Sequence, residues 1–338
     1  MISYTYQLVS PQVFSVKYND LKLEDKLLIR PRYMAICHAD QRYYLGKRDR
    51  KILNKKLPMA LIHECVGEVV QDYSGRFAVG ELVVPIPNIP AANQQDEMYE
   101  NYGKNARFMS SGYDGFMREY IDISPDRVVS VSGIPMNVAA ITEFISVAVH
   151  AVSRFEKTSH HIRKRIGIWG DGSMAYCVAS VLKMLLPESE IIVLGKHPRK
   201  LSYFSFASET VLIDNISEDF QVDHAFECCG GEGSYYAIKE IIKYVNPQGN
   251  VMLMGVSENE IPINTRDVLE KGLLLIGCSR SGKADFERAA QLMKNDEFQK
   301  RLETIIYEDN KVTSVEDIYR VFQTDLSTTF KTVFEWDL

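Results

Sequence analysis

Three short segments of the chain carry side chains that bind divalent metals. They read Ile36-Cys37-His38-Ala39-Asp40, Ile62-His63-Glu64 and Thr142-Glu143, the last running on to Val149-His150. A catalytic zinc takes three protein ligands of N, S or O type and keeps a fourth position open. Cys37, His63 and Glu143 form such a set, and Asp40 is suited to hold the second nitrogen of the His63 ring. Taken singly, a buried cysteine is usually packing and a lone histidine is rarely a ligand. The argument rests on their joint occurrence with a nucleotide-binding motif.

That motif runs from Ile166 through Gly170-Asp171-Gly172-Ser173-Met174-Ala175, an apolar run entering G-x-G-x-x-A and then a helical pattern. Gly170 permits the tight turn, Gly172 lets the backbone approach a pyrophosphate, and the small Ala175 lets helix pack on strand. Gly255, at the end of a later strand, is expected to line the same site. About twenty residues on, an NAD site places Asp or Glu to bind the ribose 2′-hydroxyl. Here the sequence is Leu194-Gly195-Lys196-His197-Pro198-Arg199-Lys200, without a carboxylate. Glycine removes the obstacle, and Lys196 and Lys200 can neutralise a 2′-phosphate, so NADPH is the expected cofactor.

These residues need a scaffold. With 338 residues, 46% hydrophobic and 25% charged, the chain has the size of two domains and the composition of a globular protein. A net charge of −6 and the lack of a basic run argue against nucleic acid and anionic membranes as partners. No signal peptide and no apolar run long enough for a membrane span are read, so a cytoplasmic location with reduced cysteines is expected. Leu27–Cys37, Glu64–Asp72, Glu81–Ile86, Phe116–Ile123 and Arg127–Val131 read as short strands of an antiparallel, barrel-like domain. A polar excursion, 87–115, interrupts them. From Asn137 the pattern alternates. A helix over Asn137–Phe155 precedes strands at Arg165–Trp169, Glu190–Leu194, Thr210–Ile213, His224–Cys228, Asn250–Gly255 and Leu273–Cys278. Helices at Ser173–Leu186, Arg199–Ala207 and Tyr235–Val245 lie between them, which implies a doubly wound parallel sheet. The expected domains are 1–136, 137–277 and 278–338, the last completing the first.

Cys37-x-x-Asp40, His63-Glu64-x-x-Gly67-Glu68-Val69, Asp114-Gly115-Phe116-x-x-Glu119-Tyr120 and Glu143-x-x-Ser146-Val147-x-x-His150-Ala151 together resemble the zinc-containing medium-chain dehydrogenases. The resemblance implies a GroES-like catalytic domain built from both chain ends around a Rossmann domain. It implies that Glu64 can join the zinc in a resting state, and the glutamate at 143 is similar to the polyol dehydrogenase branch. A second set is similar to the NADPH-dependent ribulose-5-phosphate reductases that feed CDP-ribitol synthesis for teichoic acids or capsules. It includes Ala39-Asp40-Gln41-Arg42-Tyr43-Tyr44-x-Gly46, Lys56-Leu57-Pro58-Met59, Gly277-x-Ser279-Arg280-Ser281-Gly282 and Asp325-Leu326-Ser327-Thr328.

Two departures from the wider family stand out. Its four-cysteine structural zinc lobe would fall in 87–115, which has no cysteine, so one zinc per subunit is expected. The proton-relay hydroxyl two residues after the first ligand is replaced by Ala39, which leaves Tyr43, Glu64 or zinc-bound water as relay candidates. The resemblance implies reduction of D-ribulose 5-phosphate to D-ribitol 5-phosphate, with zinc as Lewis acid on the C2 carbonyl. Arg280, Arg42, Arg48 and Arg107, with Lys47, are candidates for the substrate phosphate, and Arg280 stands first because Ser279 and Ser281 flank it. A homodimer through the sheet edge at Leu273–Cys278, beside a cytidylyltransferase of the same pathway, is also implied. Two other readings stay open: another zinc-dependent polyol dehydrogenase, and a zinc-free, non-catalytic dinucleotide-binding protein.

Overall fold

The computed structural model describes residues 1–21, 25–91 and 99–338, so 92–98 of the 87–115 excursion lie outside the described residues. In chain order the first elements are β1 (Ile2–Ser10), β2 (Val13–Asp20), β3 (Leu27–Ala35), α1 (His38–Tyr44), α2 (Arg50–Lys56), β4 (Met59–Ala60), β5 (Glu64–Asp72) and β6 (Leu82–Pro85). They continue with β7 (Asn88–Ile89), β8 (Arg107–Phe108), β9 (Ile121–Ile123), β10 (Val128–Ser130), α3 (Met136–Ala139) and α4 (Thr142–Thr158). The alternating part comprises β11 (Arg165–Trp169), α5 (Ser173–Leu185), β12 (Glu190–Gly195), α6 (Pro198–Leu201), β13 (Glu209–Leu212), β14 (His224–Glu227), α7 (Gly233–Tyr244), β15 (Asn250–Leu253), α8 (Thr265–Lys271) and β16 (Leu274–Gly277). The chain closes with α9 (Lys283–Leu292), α10 (Asp296–Glu303), β17 (Ile306–Val312), α11 (Val315–Asp325) and β18 (Lys331–Trp336).

Two compact units result, one of 1–146 with 281–338 and one of 147–280. The division falls within α4 and after Arg280 rather than at 136 and 277. The first turn of α4 is tied to the C-terminal segment, Thr142 Oγ1 lying 3.5 Å from Met293 Sδ and Ser146 Oγ 2.6 Å from Ser281 Oγ.

In the first unit the main sheet has the order β10-β6-β5-β3-β18-β17, with β9 also on β3, and a smaller sheet has the order β2-β1-β4. Pairing is antiparallel except between β17 and β18. The last strand of the chain thus sits between β3 and β17, and both chain ends build one core around Met34, Cys65, Phe116, Phe322, Phe334 and Trp336. Of the expected Phe116–Ile123 strand only Ile121–Ile123 forms. The residues before it instead bond to the segment ahead of β5, Gly115 N donating to Ala60 O and Phe116 N to Ile62 O.

The second unit holds a six-stranded parallel sheet in the order β13-β12-β11-β14-β15-β16. Ile166, Ile168 and Trp169 of β11 and Ile191 to Leu194 of β12 are all buried, the continuous apolar reading of strands covered on both faces. The expected Arg199–Ala207 helix ends at Leu201. Phe204 and Phe206 turn in to meet the Tyr176 ring edge-on, at 5.1 and 5.2 Å, and this contact replaces further helical turns. The cysteines are free thiols, and among the described residues no helix is long and apolar enough to cross a membrane.

A buried histidine makes this unit sensitive to acid. His224 on β14 accepts from Asn250 N through Nδ1 at 3.0 Å and bonds the Ile162 carbonyl through Nε2 at 2.9 Å. Both bonds are met only by the neutral ring. Burial, with His160 alongside, pushes its pKa down to about 4 from 6.5. The unfolded chain therefore takes up this proton at a higher pH than the folded one. Stability should fall as pH drops from 6.5 to about 4, by roughly 2 kcal/mol from this residue. Denaturant melts across that window should show a smaller loss for His224→Gln, which keeps a donor and an acceptor and does not titrate.

Candidate functional site

The candidate metal-ligating residues are placed by strand ends in the first unit. Cys37 follows β3 and caps α1, and His63 and Glu64 open β5. The sulfur, one imidazole nitrogen and one carboxylate oxygen of Cys37, His63 and Glu64 all lie within 4.8 Å of one another. Glu143, in the first turn of α4, is buried beside them, and its electrostatic neighbours are His63, Glu64, Lys331 and Asp40. It does not join the tight group of three.

Asp40 organises this corner. Its buried carboxylate accepts from Ile62 N at 3.0 Å, Ser110 Oγ at 2.7 Å and Cys37 N at 3.2 Å, with His63 Nδ1 at 3.6 Å. Burial works against its charge, yet His63, Ser110 and the Ile62 amide hold its pKa below the usual range. Ile62 adopts φ +68°, a conformation that branched side chains avoid, so the residue before His63 is held under strain. The His63 ring lies edge-on to Phe108, centroids 5.3 Å apart. Burial opposes charge on His63, but Asp40 and Cys37 push its pKa well above the ordinary value.

Lys331, the first residue of β18, is the residue the sequence reading missed. Its buried ammonium donates to Glu64 Oε1 at 2.6 Å and to Ile36 O at 2.8 Å, and lies over the Phe144 ring at 4.6 Å. Burial alone would lower its pKa, but Glu64 and Cys37 raise it, so the amine is held charged. Glu143 is driven up to about 7, by burial first, with His63 pulling down and Glu64 pushing up. The signal in the sequence was a lysine opening a strand whose Val333, Phe334 and Trp336 are apolar.

The donor set fits a divalent zinc. A thiol, an imidazole and the Glu64 carboxylate converge, and the Glu143 carboxylate is buried beside them. Glu64 Oε2 is buried with no hydrogen-bond partner. A cation beside it would give that oxygen a partner.

The dinucleotide motif lies in the second unit. Gly170 has φ +134°, and a Cβ there would stand 3.0 Å from the Cys228 backbone. A Cβ on Gly172 would meet nothing within 4 Å, so the space beside the turn is open. Gly172 caps α5 without any side-chain bond, which leaves the first amides of that helix turned to the open side. Ala175 is fully buried. A side chain at Gly195 would strike Asp171, 2.6 Å from its Cβ. Asp171 itself accepts from Lys196 N and His197 N, both at 2.8 Å, and pairs with His197 Nδ1 at 2.9 Å. The one acid of this turn thus points at the basic loop and fixes its backbone. Lys196 is exposed, its Nζ 5.7 Å from the Tyr236 ring centroid, and Lys200 is half-buried. Gly255 packs against Glu227, whose buried carboxylate accepts from Gly255 N, Cys229 N and Ser234 Oγ. This half of the chain has the open, amide-lined turn and the cationic loop that NADPH requires.

The phosphate candidates separate. Arg42, Lys47 and Arg48 lie on and after α1 in the first unit, and Arg107 on β8 stacks on Tyr113 at 5.3 Å. Arg280 is the last residue of the second unit, at φ +59°.

Comparisons agree with this architecture. Residues 23–133 match the alcohol dehydrogenase GroES-like domain and residues 177–295 the zinc-binding dehydrogenase domain. The ribulose-5-phosphate reductase of Streptococcus pneumoniae is 53% identical over 340 residues, covering 100% of this chain and 98% of that protein. The ribulose-5-phosphate reductase of Bacillus spizizenii is 47% identical with both chains covered in full. The crystal structure of S. aureus TarJ in complex with NADPH superposes with a TM-score of 0.89 at 42% identity, both chains covered completely. The chain belongs to the zinc-binding medium-chain dehydrogenase family, in the branch that holds these ribulose-5-phosphate reductases.

Proposed function

We propose that the protein reduces D-ribulose 5-phosphate to D-ribitol 5-phosphate with NADPH, using one zinc per subunit. The observation that carries the reading is end-to-end identity of 53% to a ribulose-5-phosphate reductase in a chain whose Cys37, His63 and Glu64 converge for a metal. Bound zinc supplies Lewis acidity toward the C2 carbonyl oxygen, and NADPH supplies the hydride. Cys37, His63 and Glu143 hold the metal in this reading. Asp40 keeps the His63 ring in one orientation, and Lys331 holds one Glu64 oxygen toward β18, opposing the burial that raises the pKa of that carboxyl. Ala39 offers no hydroxyl, so the proton for the product oxygen comes by way of Glu64, Tyr43 or water.

A homodimer fits β16, the outer strand of the parallel sheet, where Leu274 is half exposed. Outer strands present an open row of backbone donors and acceptors to a partner. A cytoplasmic location and work beside a cytidylyltransferase that consumes ribitol 5-phosphate belong to the same reading.

The wild type should oxidise NADPH rapidly with ribulose 5-phosphate and slowly with free ribulose. Equal kcat/KM for the two would return the chain to the general polyol dehydrogenases. Elemental analysis should find one zinc per chain. Cys37→Ala should lose both the zinc and turnover while still binding NADPH, because the dinucleotide turn lies in the other unit; retained turnover without zinc would sink the metal assignment. Lys196→Ala and Lys200→Ala should each raise the KM for NADPH and leave that for NADH nearly unchanged. One charge-assisted contact to a phosphate contributes about 1.5–3 kcal/mol, or roughly ten- to a hundredfold. A wild type that uses both cofactors equally would refute this part.

A further inference from the structure

We infer that Asn88 selects the substrate, its buried amide pairing with a ketose hydroxyl on C1 or C3, beside the reacting carbonyl. This rests on the ketose-reduction reading above and adds to it the residue that reads the carbon chain next to C2.

The first observation is placement. β7 pairs antiparallel with β8, Asn88 standing opposite Phe108 and Ile89 opposite Arg107. Residues directly opposite in such a pair share one face of the ladder, and the next pair takes the other face. Ile89 and Arg107 are exposed whereas Asn88 is fully buried, so Asn88 and Phe108 form the inner face. On that face the Phe108 ring lies edge-on to His63, centroids 5.3 Å apart. Beside the pair, Met109 N donates to Pro87 O at 2.9 Å and ties the two strands together. One residue further on, Ser110 Oγ donates to Asp40 at 2.7 Å. Asn88 is therefore fixed on the side of the hairpin that faces the candidate metal ligands.

The second observation is chemical. Asn88 Nδ2 and Asn88 Oδ1 are both buried, and neither has a hydrogen-bond partner among the described residues. An amide offers two donors and a carbonyl acceptor, and an interior amide with all of them unpaired is costly to keep. A leucine of similar size would avoid that cost, so the fold is carrying a polar group for something other than its own stability. A sugar hydroxyl donates one hydrogen bond and accepts others, and so can use either end of the amide. A ketose held at the metal by its C2 carbonyl brings two such hydroxyls, those on C1 and C3, closest to the metal ligands. The amide of Asn88 stands on the wall that meets them.

The test measures kcat/KM for D-ribulose 5-phosphate, its C3 epimer D-xylulose 5-phosphate and 1-deoxy-D-xylulose 5-phosphate. The enzymes are the wild type, Asn88→Leu and Asn88→Ala, with Tm and NADPH binding recorded for each. Asn88→Leu should lose about 10- to 100-fold with ribulose 5-phosphate, while its Tm stays level or rises because an unpaired buried amide has gone. NADPH binding should stay at the wild-type level, since the dinucleotide turn lies in the other unit. If the amide reads the C3 hydroxyl, the variant should bring the two epimers to within about threefold of each other. If it reads the C1 hydroxyl, xylulose 5-phosphate and its 1-deoxy form should converge instead. Asn88→Ala should show the same convergence, which separates loss of the amide from crowding by leucine. Equal losses on all three ketoses with a lowered Tm would mark the amide as structural and overturn the proposal. Ratios that stay at their wild-type values in both variants would overturn it too, as would a wild type blind to both hydroxyls. A wild type that reduces none of these ketoses brings down the reaction reading as well, and that result is visible before any variant is made.

Discussion

Everything at the metal corner depends on one buried carboxylate. Asp40 sits on α1, a helix of two turns that could not hold a position by itself. Its oxygens gather the amide of Cys37, the amide of Ile62 just before His63, and the hydroxyl of Ser110. Three stretches far apart in sequence are thereby fixed to one point. The strained φ of Ile62 survives because Asp40 holds its amide and Phe116 its carbonyl. Lys331 complements this arrangement. It places a positive charge under Glu64 and Cys37, in a corner that would otherwise concentrate negative charge. A buried pair of this kind adds little net stability, and its value is in orientation.

Much of this was legible in the sequence, for identifiable reasons. The candidate metal ligands lie in short motifs whose residue types are dictated by coordination chemistry, so Cys37, His63 and Glu64, which the fold brings together, could be named before any fold was known, with Asp40 beside them. The parallel sheet announced itself through runs such as Ile191 to Leu194, because strands covered on both faces must be apolar throughout. Lys331 was not legible, since nothing local distinguishes a lysine that faces the core from one on the surface. Its role exists only because β18 enters the middle of a sheet begun three hundred residues earlier. The helix expected to reach Ala207 failed because the apolar residues at 204 and 206 serve Tyr176 rather than a helical stripe.

In the dinucleotide unit an absence is as informative as a residue. Gly195 has no room for a side chain because Asp171 fills that space. An acid within the glycine turn and a missing acid at the end of β12 are thus two sides of one arrangement. The carboxylate is used to shape a basic loop from beneath rather than to bind a ribose hydroxyl from above. A motif reading that scores only the glycines passes over this exchange.

The interposed position of β18 has a consequence for how the protein comes into being. Residues 147–280 form a unit whose contacts are complete once that stretch has left the ribosome. The other unit must wait for the final strand, which carries Lys331 and lies between β3 and β17. During synthesis the chain therefore holds a finished nucleotide fold beside an open half-sheet. The metal corner lacks both its middle strand and the Lys331 ammonium until β18 has entered the sheet.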